Sequence, residues 1–171
     1  MQDYAEEAVR KQMRVLQKEF DAQWRGDNPW VYSTGEEIPG FIDTVAKRTT
    51  FYKQLAVKYN NNPDSINKYM NKPMKMRVFS YEGTKEVVMS HIDSLNYYKR
   101  FLQAGMMAMD PYTGFIKAWV GGINYEHFKY DHVKQGRRQP GSTFKPILYT
   151  AAIDGPKNMT PCDKIRDEPI K

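Results

Sequence analysis

The sequence has very little cysteine or histidine. Cys162 is the one cysteine among 171 residues, which excludes an internal disulfide and a cysteine-rich metal site. It has no CxxC partner, so we expect a partly buried free thiol. His91, His127 and His132 are spaced in a way that fits no compact ligand pattern. The sequence therefore predicts no metal site and no cofactor.

Long apolar runs are also missing. The chain contains no stretch of about 18 apolar residues, and its N-terminus lacks the basic and then apolar pattern of a secretory signal. A helical pattern begins directly after Met1, so we interpret the chain as a soluble piece of a larger protein. With 40% hydrophobic and 27% charged residues, it suits one globular domain, or one small domain with a helical arm.

Acidic residues are fewer than basic ones. The chain has 26 lysines and arginines against 20 aspartates and glutamates, a net charge of +6. Three kinds of partner are compatible with this excess: nucleic acid, an anionic membrane surface and an acidic polymer. The charge alone does not choose among them.

Apolar periodicity predicts helices in the first third of the chain. One helix ends at Gly26 and carries an apolar face that we assign to packing rather than to a partner or a membrane. That face is formed by Val9, Met13, Leu16, Phe20 and Trp24. A second helix is predicted over 41–59. The polar segment 60–72 is interpreted as a linker with one short helical turn, which places a domain boundary near Pro73.

The rest of the chain alternates strand and helix signals. Residues 74–79 and 86–89 predict a hairpin, and Ser90 or Asp93 is expected to cap a following helix of about ten residues. Residues 106–109 and 115–120 predict two more strands joined by a turn at 110–114. The fold class is therefore α+β.

Ser142 and Lys145 are the residues whose types and spacing most clearly indicate a catalytic pair. They stand three residues apart at the start of an apolar helix, so their side chains are neighbours. A serine hydroxyl becomes a strong nucleophile when a base removes its proton, and lysine acts as that base only as the free amine. Burial, or a nearby cation such as Arg137 or Arg138, lowers a lysine pKa from about 10.4. Backbone N–H groups at the helix start are available to a developing oxyanion.

The Ser-x-x-Lys spacing by itself is weak evidence. A second copy, Ser65 and Lys68, lies in the polar segment 60–72, where no apolar helix follows to bury the lysine, and we expect no catalysis there. The simpler alternative for the first copy is that Ser142 caps the helix and Lys145 is a solvated residue of the first turn.

Longer motifs around Ser142 resemble class A penicillin-binding proteins. The resemblance is carried by Arg138–Pro146, Asp110–Gly114, Ala118–Gly122 and Tyr130–Val133. The transpeptidase domain of that family has an Asp-Pro-x-Thr-Gly turn, a Val-Gly-Gly exit and then Arg-Gln-Pro-Gly-Ser-x-x-Lys-Pro. The resemblance implies a helical connector over 1–72 and the N-terminal part of a β-lactamase/transpeptidase-like domain over 73–171.

The resemblance also implies a function. Ser142 would be the nucleophile and Lys145 its proton acceptor in a D-Ala-D-Ala transpeptidase. Peptidoglycan stem peptides would be its substrates, and β-lactam antibiotics would acylate the same serine. The parent protein would be anchored in the bacterial cytoplasmic membrane by an N-terminal segment, with this region on the periplasmic or extracellular side. Oligomeric state stays open.

The sequence departs from this family pattern after Lys145. The family's Ser-x-Asn and Lys-Thr-Gly motifs do not follow. Two Ser-x-Asn triplets, beginning at Ser65 and Ser94, precede the nucleophile, and the triplet 112–114 lies in a turn. We therefore expect the chain itself to be inactive and the strands at 106–120 to have an unpaired edge.

Two other functions from different classes are open. The chain is compatible with a non-catalytic connector or platform for cell-wall proteins. A cluster of basic and aromatic residues is compatible with single-stranded nucleic acid; its members are Tyr125, Phe128, Lys129, Tyr130, Lys134, Arg137 and Arg138. Because Glu126 and Asp131 interrupt the cluster and no nucleic-acid-binding module surrounds it, we expect no nucleic-acid partner.

Overall fold

The computed structural model describes residues 1–155 and 159–164. The chain divides into two compact units, residues 1–135 and residues 136 onward. Six α-helices and two antiparallel two-stranded sheets are found in the described residues, which confirms the predicted α+β class. No described helix combines the length and apolar content that a membrane span requires.

Helix α1 (Gln2–Gln23) is the long helix predicted at the N-terminus. Its buried residues are Ala5, Met13 and Gln17, whereas Leu16, which we predicted on the packing face, is 37% exposed. The polar Gln17 takes the buried position because it has partners: its amide donates to the Arg100 carbonyl and accepts from the Leu102 N–H. Val9 and Met13 pack in the core as predicted, so the apolar pattern placed the face correctly at these two positions and wrongly at Leu16.

The single helix predicted over 41–59 is wrong, because the chain forms two helices there. Helices α2 (Phe41–Arg48) and α3 (Thr50–Lys58) are separated by Thr49, whose φ of −72° and ψ of 149° are extended. The Thr49 hydroxyl accepts from the Tyr52 N–H and thereby caps α3. The apolar spacing continues across this break, so periodicity did not reveal it.

The segment 60–72, predicted as a linker with one short helical turn, is more helical and more buried than predicted. Its central part is helix α4 (Pro63–Met70), capped by the Asn62 side chain and begun by Pro63. Ile66 and Met70 are each 2% exposed and form a core with Ala46 of α2 and Leu55 of α3. Two well-spaced apolar residues were sufficient to bury one face of a short polar helix.

The predicted hairpin is confirmed as strands β1 (Met74–Val78) and β2 (Lys85–Met89), paired antiparallel. Helix α5 (His91–Lys99) follows, and both predicted capping residues act together. Ser90 accepts from the Asp93 N–H, while the Asp93 carboxylate accepts from the Ser90 N–H, which is a capping box. The Ser90 hydroxyl also donates to the Asp93 carboxylate, and this hydrogen bond, together with that from the Ser90 N–H, lowers the pKa of Asp93.

Strands β3 (Met106–Met109) and β4 (Ile116–Val120) form the second predicted pair, with a register shift at Ala108/Met109. The turn between them is held by Asp110, which accepts from the Tyr112 and Thr113 N–H groups. The edge that we expected to be unpaired is partly occupied. The Gln2 side chain donates to the Trp119 carbonyl and accepts from the Trp119 N–H, as a neighbouring strand would.

Residues 121–135, which follow β4, pack against the rest of the first unit. Asp131 accepts from the Trp119 indole and from the Val133 and Lys134 N–H groups, and these bonds lower its pKa, the largest contribution coming from the Lys134 N–H. A Cβ at position 121 would lie 2.8 Å from the Asp131 carboxyl carbon, so a larger residue there would displace this hydrogen-bonded carboxylate. Ile123 is buried with Met13 and Phe79, so this part of the loop has a packing role.

The second unit contains a 3₁₀ turn (Gly141–Phe144) that leads into helix α6 (Lys145–Asp154). No residue of α6 is buried. Cys162 is exposed, which corrects the expected partly buried thiol. The domain boundary predicted near Pro73 stays a prediction.

Candidate functional site

The predicted site lies at the start of the second unit. Gly141 has a φ of +53°, and no heavy atom lies within 4 Å of the point that a Cβ would occupy, so this glycine is needed for its left-handed backbone and not for lack of space. Pro140 precedes it, and the Thr143 N–H donates to the Pro140 carbonyl. This Pro-Gly pair turns the chain directly into the 3₁₀ turn that carries Ser142.

The backbone places Ser142 and Lys145 one turn apart. The Lys145 N–H donates to the Ser142 carbonyl, and residues three apart in a 3₁₀ turn lie almost directly above one another. Lys145 is the first residue of α6, and Pro146 takes the next position, where the missing N–H of proline costs no helical hydrogen bond. Both side chains therefore project from the same side of a helix start.

The structure contradicts one part of the simpler alternative, in which Ser142 caps the helix and Lys145 is a solvated residue of the first turn. Neither the 3₁₀ turn nor α6 has a side-chain cap, so Ser142 does not cap the helix. Lys145, however, is exposed, as that alternative requires. Within the described residues, the Ser142 hydroxyl and the Lys145 amine have no hydrogen bond or ion pair.

The surroundings of the pair are apolar and open. Ile147, Leu148, Tyr149 and Ile153 of α6 are each more than half exposed, so nothing described in this unit desolvates the Lys145 amine. The burial that would favour a free amine is absent from the described residues. The exposed Arg137 and Arg138 precede the turn on the same unit.

The second Ser-x-x-Lys copy has a different setting. Ser65 and Lys68 lie on the short polar helix α4 and not in the linker that we predicted, but no apolar helix buries the lysine. Ser65 is in the first turn, where its N–H donates to the Asn62 side chain. No glycine with left-handed backbone precedes it, and Lys68 is exposed.

The three histidines each pack against an aromatic ring. His91 stacks on Phe51 at 3.8 Å between ring centroids, and its partial burial lowers its pKa. His127 lies within hydrogen-bond distance of the Tyr98 and Thr84 hydroxyls. In residues 1–155 and 159–164, no group of three or more histidine, cysteine or acidic side chains is placed to hold a metal ion.

The basic and aromatic cluster proposed for nucleic acid has much of its aromatic surface occupied. Phe128 packs with Phe79 and Phe101 in the interior of the first unit. The Lys129 amine lies 4.3 Å from the Tyr125 ring centroid. The remaining ring, Tyr130, contacts His132 and donates its hydroxyl to the Gln135 carbonyl.

Sequence reasoning missed two features of the first unit. One is a cavity of about 570 Å³ between α1, the hairpin turn and the segment after β4, lined by Arg10, Trp119, Asn124 and Asp131 among others. The other is the uneven distribution of charge: residues 47–77 hold eight basic side chains and one acidic side chain. Counting charge by segment rather than over the whole chain would have revealed the second.

Comparison with known proteins finds similarity to one family. The model of the penicillin-binding protein middle domain matches residues 25–102. Penicillin-binding protein 1A of Neisseria cinerea is 28% identical over 155 residues, 82% of this chain. The protein of the same name is 40% identical over 68 residues in Pseudomonas aeruginosa and 44% identical over 69 residues in Neisseria flavescens, in each case 40% of this chain.

These matches span only a small part of the relatives. The aligned region is 18% of the Neisseria cinerea protein and 8% of the other two. No solved structure matches the chain. The family model and the three relatives agree with one another, and they support the resemblance of this chain to a fragment of a class A penicillin-binding protein.

Proposed function

We propose that this chain is part of a peptidoglycan synthase and that Ser142 is the nucleophile of its D-Ala-D-Ala transpeptidase. The observation that carries the proposal is the left-handed Gly141 that turns the chain into Ser142, with Lys145 one 3₁₀ turn later at the start of α6. The parent synthase would be anchored in the bacterial cytoplasmic membrane, with this region outside it.

The geometry supports an acyl transfer in two steps. The Ser142 oxygen attacks the carbonyl carbon of the penultimate D-alanine, and Lys145 takes the hydroxyl proton. The C–N bond then breaks, Lys145 returns the proton to the leaving D-alanine amine, and the stem peptide remains as an ester on Ser142. Backbone N–H groups at the start of the turn are free to donate to the oxyanion.

The second step restores the enzyme. An amine of a neighbouring stem peptide attacks the ester carbon and gives its proton to Lys145, and the serine oxygen takes a proton as the C–O bond breaks. The product is a new amide bond between two stems, a cross-link. A β-lactam would acylate the same oxygen by opening of its ring.

Lys145 has to lose its proton before it accepts one from Ser142. It is exposed in the described residues, so we propose that further segments of the synthase cover α6 and desolvate the amine. The exposed apolar side chains Ile147, Leu148 and Ile153 are suited to such a contact because covering them removes apolar surface from water.

The test uses the intact synthase and a fluorescent penicillin. Ser142→Ala is expected to abolish covalent labelling, and Ser65→Ala, the same change in the second Ser-x-x-Lys, is expected to leave it unchanged. Labelling that survives Ser142→Ala would overturn the assignment. Labelling lost in both variants would mean that folding, and not the nucleophile, was affected.

A second pair of variants tests the base. Lys145→Arg keeps the positive charge but cannot supply a free amine at neutral pH, so the acylation rate is expected to fall by at least about 100-fold. Lys68→Arg is the matched control and is expected to have the wild-type rate. An unchanged rate in Lys145→Arg would exclude Lys145 as the proton acceptor.

A second candidate function is a non-catalytic connector or platform. It is favoured by the match of the middle-domain model to residues 25–102, a region that does not include Ser142. The two functions are separable, since Ser142→Ala should leave any partner contact of residues 25–102 intact.

A further inference from the structure

The positive charge of the protein is concentrated in one segment of the first unit. Residues 47–77 contain eight of the 26 basic residues and one of the 20 acidic residues, Asp64. The other 140 residues therefore carry 18 basic and 19 acidic side chains, so they are close to neutral. The net charge of +6 thus belongs to a single 31-residue segment and not to the chain as a whole.

All eight basic side chains of this segment are exposed. We call them the basic surface; they are Lys47, Arg48, Lys53, Lys58, Lys68, Lys72, Lys75 and Arg77. The ion pairs found in the described residues involve Arg14, Lys85 and Lys117 instead. None of the eight therefore forms an ion pair within the described part of the chain, although Glu86 lies opposite Arg77 across the hairpin.

Helices α3 and α4 direct part of this charge away from a shared core. Leu55 of α3 and Ile66 of α4 are buried in that core. Lys53 and Val57 lie two residues on either side of Leu55, and Lys68 lies two residues after Ile66. A separation of two residues is about 200° around a helix, so these three side chains are on the outer faces.

An apolar residue lies among the cations of α3. Val57 is 82% exposed, with Lys53 one turn before it on the same face and Lys58 directly after it. Tyr69 of α4 is also partly exposed and stacks on Tyr59, with ring centroids 5.0 Å apart. Apolar and tyrosine side chains surrounded by lysines are typical of surfaces that enter the headgroup region of a bilayer.

Two observations favour lipid over nucleic acid as the anionic partner. Tyr59 and Tyr69 stack on each other, and the Lys58 amine lies 5.3 Å from the Tyr59 ring centroid, so these rings are not free to stack on bases. Six of the eight cations are lysines, which act as point charges, whereas paired recognition of a single phosphate favours arginine.

We infer that the outer face of α3 and α4 is a docking surface for an anionic lipid bilayer. The lysines are attracted to the negative headgroups, and Val57 enters the interfacial region between them. This contact is independent of Ser142 and of the transpeptidase chemistry proposed above.

The test measures co-sedimentation of the 171-residue chain with vesicles at about 150 mM salt. Vesicles of phosphatidylcholine with about 30% phosphatidylglycerol are compared with pure phosphatidylcholine. We expect binding to the anionic vesicles, weaker binding at about 500 mM salt and none to the neutral vesicles. Equal binding to both vesicles, or none to either, would overturn the inference.

A matched pair of triple variants distinguishes the effect of where the lysines lie from the effect of the net charge of the protein. Lys53→Glu, Lys58→Glu and Lys68→Glu together are expected to lower partitioning by about 100-fold or more. Lys11→Glu, Lys18→Glu and Lys99→Glu, three exposed lysines outside the basic surface, change the net charge equally and are expected to lower it by less than about tenfold. Equal losses in the two variants would overturn a localised surface.

Val57→Ser distinguishes a bilayer from a soluble polyanion. The side chain is 82% exposed, so its replacement is not expected to disturb the core. We expect weaker binding to anionic vesicles and unchanged binding to inorganic polyphosphate or a single-stranded oligonucleotide. Vesicle binding that does not change in Val57→Ser, together with tight binding of either soluble polyanion, would identify a general polyanion surface and overturn the lipid assignment.

Discussion

Gln17 is the buried polar side chain that joins α1 to the chain after α5. Its amide nitrogen donates to the Arg100 carbonyl at 3.1 Å, and its amide oxygen accepts from the Leu102 N–H at 2.9 Å. Gln17→Ala would leave both backbone groups without a partner. We expect the free energy of unfolding to fall by about 2–3 kcal/mol, measured by urea denaturation.

The control for Gln17 is on the same helix. Gln12 is exposed, so Gln12→Ala makes the same chemical change without removing a buried contact and is expected to alter the free energy of unfolding by less than about 0.5 kcal/mol. A loss of similar size in both variants would show that helix propensity, and not the Arg100 and Leu102 contacts, governs the effect.

Tyr81 presents the opposite case, a buried hydroxyl without a hydrogen-bond partner in the described residues. Tyr81→Phe removes the oxygen and retains the ring, which packs edge-on against Phe79. At neutral pH we expect the variant to be as stable as the wild type or more stable by up to about 1 kcal/mol, measured by urea denaturation. A clear loss of stability would indicate a partner for the hydroxyl.

The same residue makes stability depend on alkaline pH. Burial raises the pKa of Tyr81 from 10.0 to about 12, so the folded state holds the phenol proton over a range in which the unfolded state has lost it. Stability therefore falls as the pH rises from about 10 to about 12. Between these values the wild type is expected to lose about 1–2 kcal/mol more than Tyr81→Phe, measured by urea denaturation at each pH. Parallel pH profiles would contradict this.

At the scale of single residues, the sequence predicts apolar burial better than polar burial. Met13 followed from helical periodicity, whereas Gln17 did not, because a buried amide depends on where the backbone of Arg100 and Leu102 lies. Those partners are more than 80 positions away along the chain. No local pattern encodes a contact of this length.

Helix α5 is the element whose N-terminal cap the sequence predicted most directly. Ser90 is 3% exposed, and its hydroxyl accepts from the Asp93 N–H at 3.1 Å. Ser90→Ala is expected to lower the free energy of unfolding by about 1–2 kcal/mol, measured by urea denaturation. Ser33→Ala, at an exposed loop position, is the control. Equal stability of the Ser90 variant and the control would mean that the cap is replaced by another donor and acceptor.

The two strand pairs were predictable because each is local. Their strands are joined by short turns with distinctive residues, such as Asp110 and Gly114, whose φ is 72°. The break between α2 and α3 was not predictable from periodicity, since apolar residues continue in helical register across Thr49. Helix α4 was missed because its polar composition resembles a linker, while its stability depends on Ile66 and Met70 meeting a core made by other helices.

At the scale of the whole molecule, the sequence indicated the family through motifs that surround Ser142, and the model of the middle domain matched a different region, residues 25–102. The turn at Gly141 and the spacing of Ser142 and Lys145 follow from local sequence. The environment of Lys145 does not, because desolvation depends on whichever segments pack over α6. The position of the proposed catalytic pair is therefore encoded locally, whereas the burial that would activate it is not.

The exposure of this pair predicts how the 171-residue chain behaves alone. Lys145 is exposed and α6 has no buried residue, so the burial that would favour a free amine is missing from the described residues. We expect the isolated chain to label with fluorescent penicillin at least about 100 times more slowly than the intact synthase, measured by gel fluorescence over time. The isolated Ser142→Ala chain gives the background. Stoichiometric, Ser142-dependent labelling of the isolated chain at the rate of the synthase would mean that this helix start activates the serine without further burial.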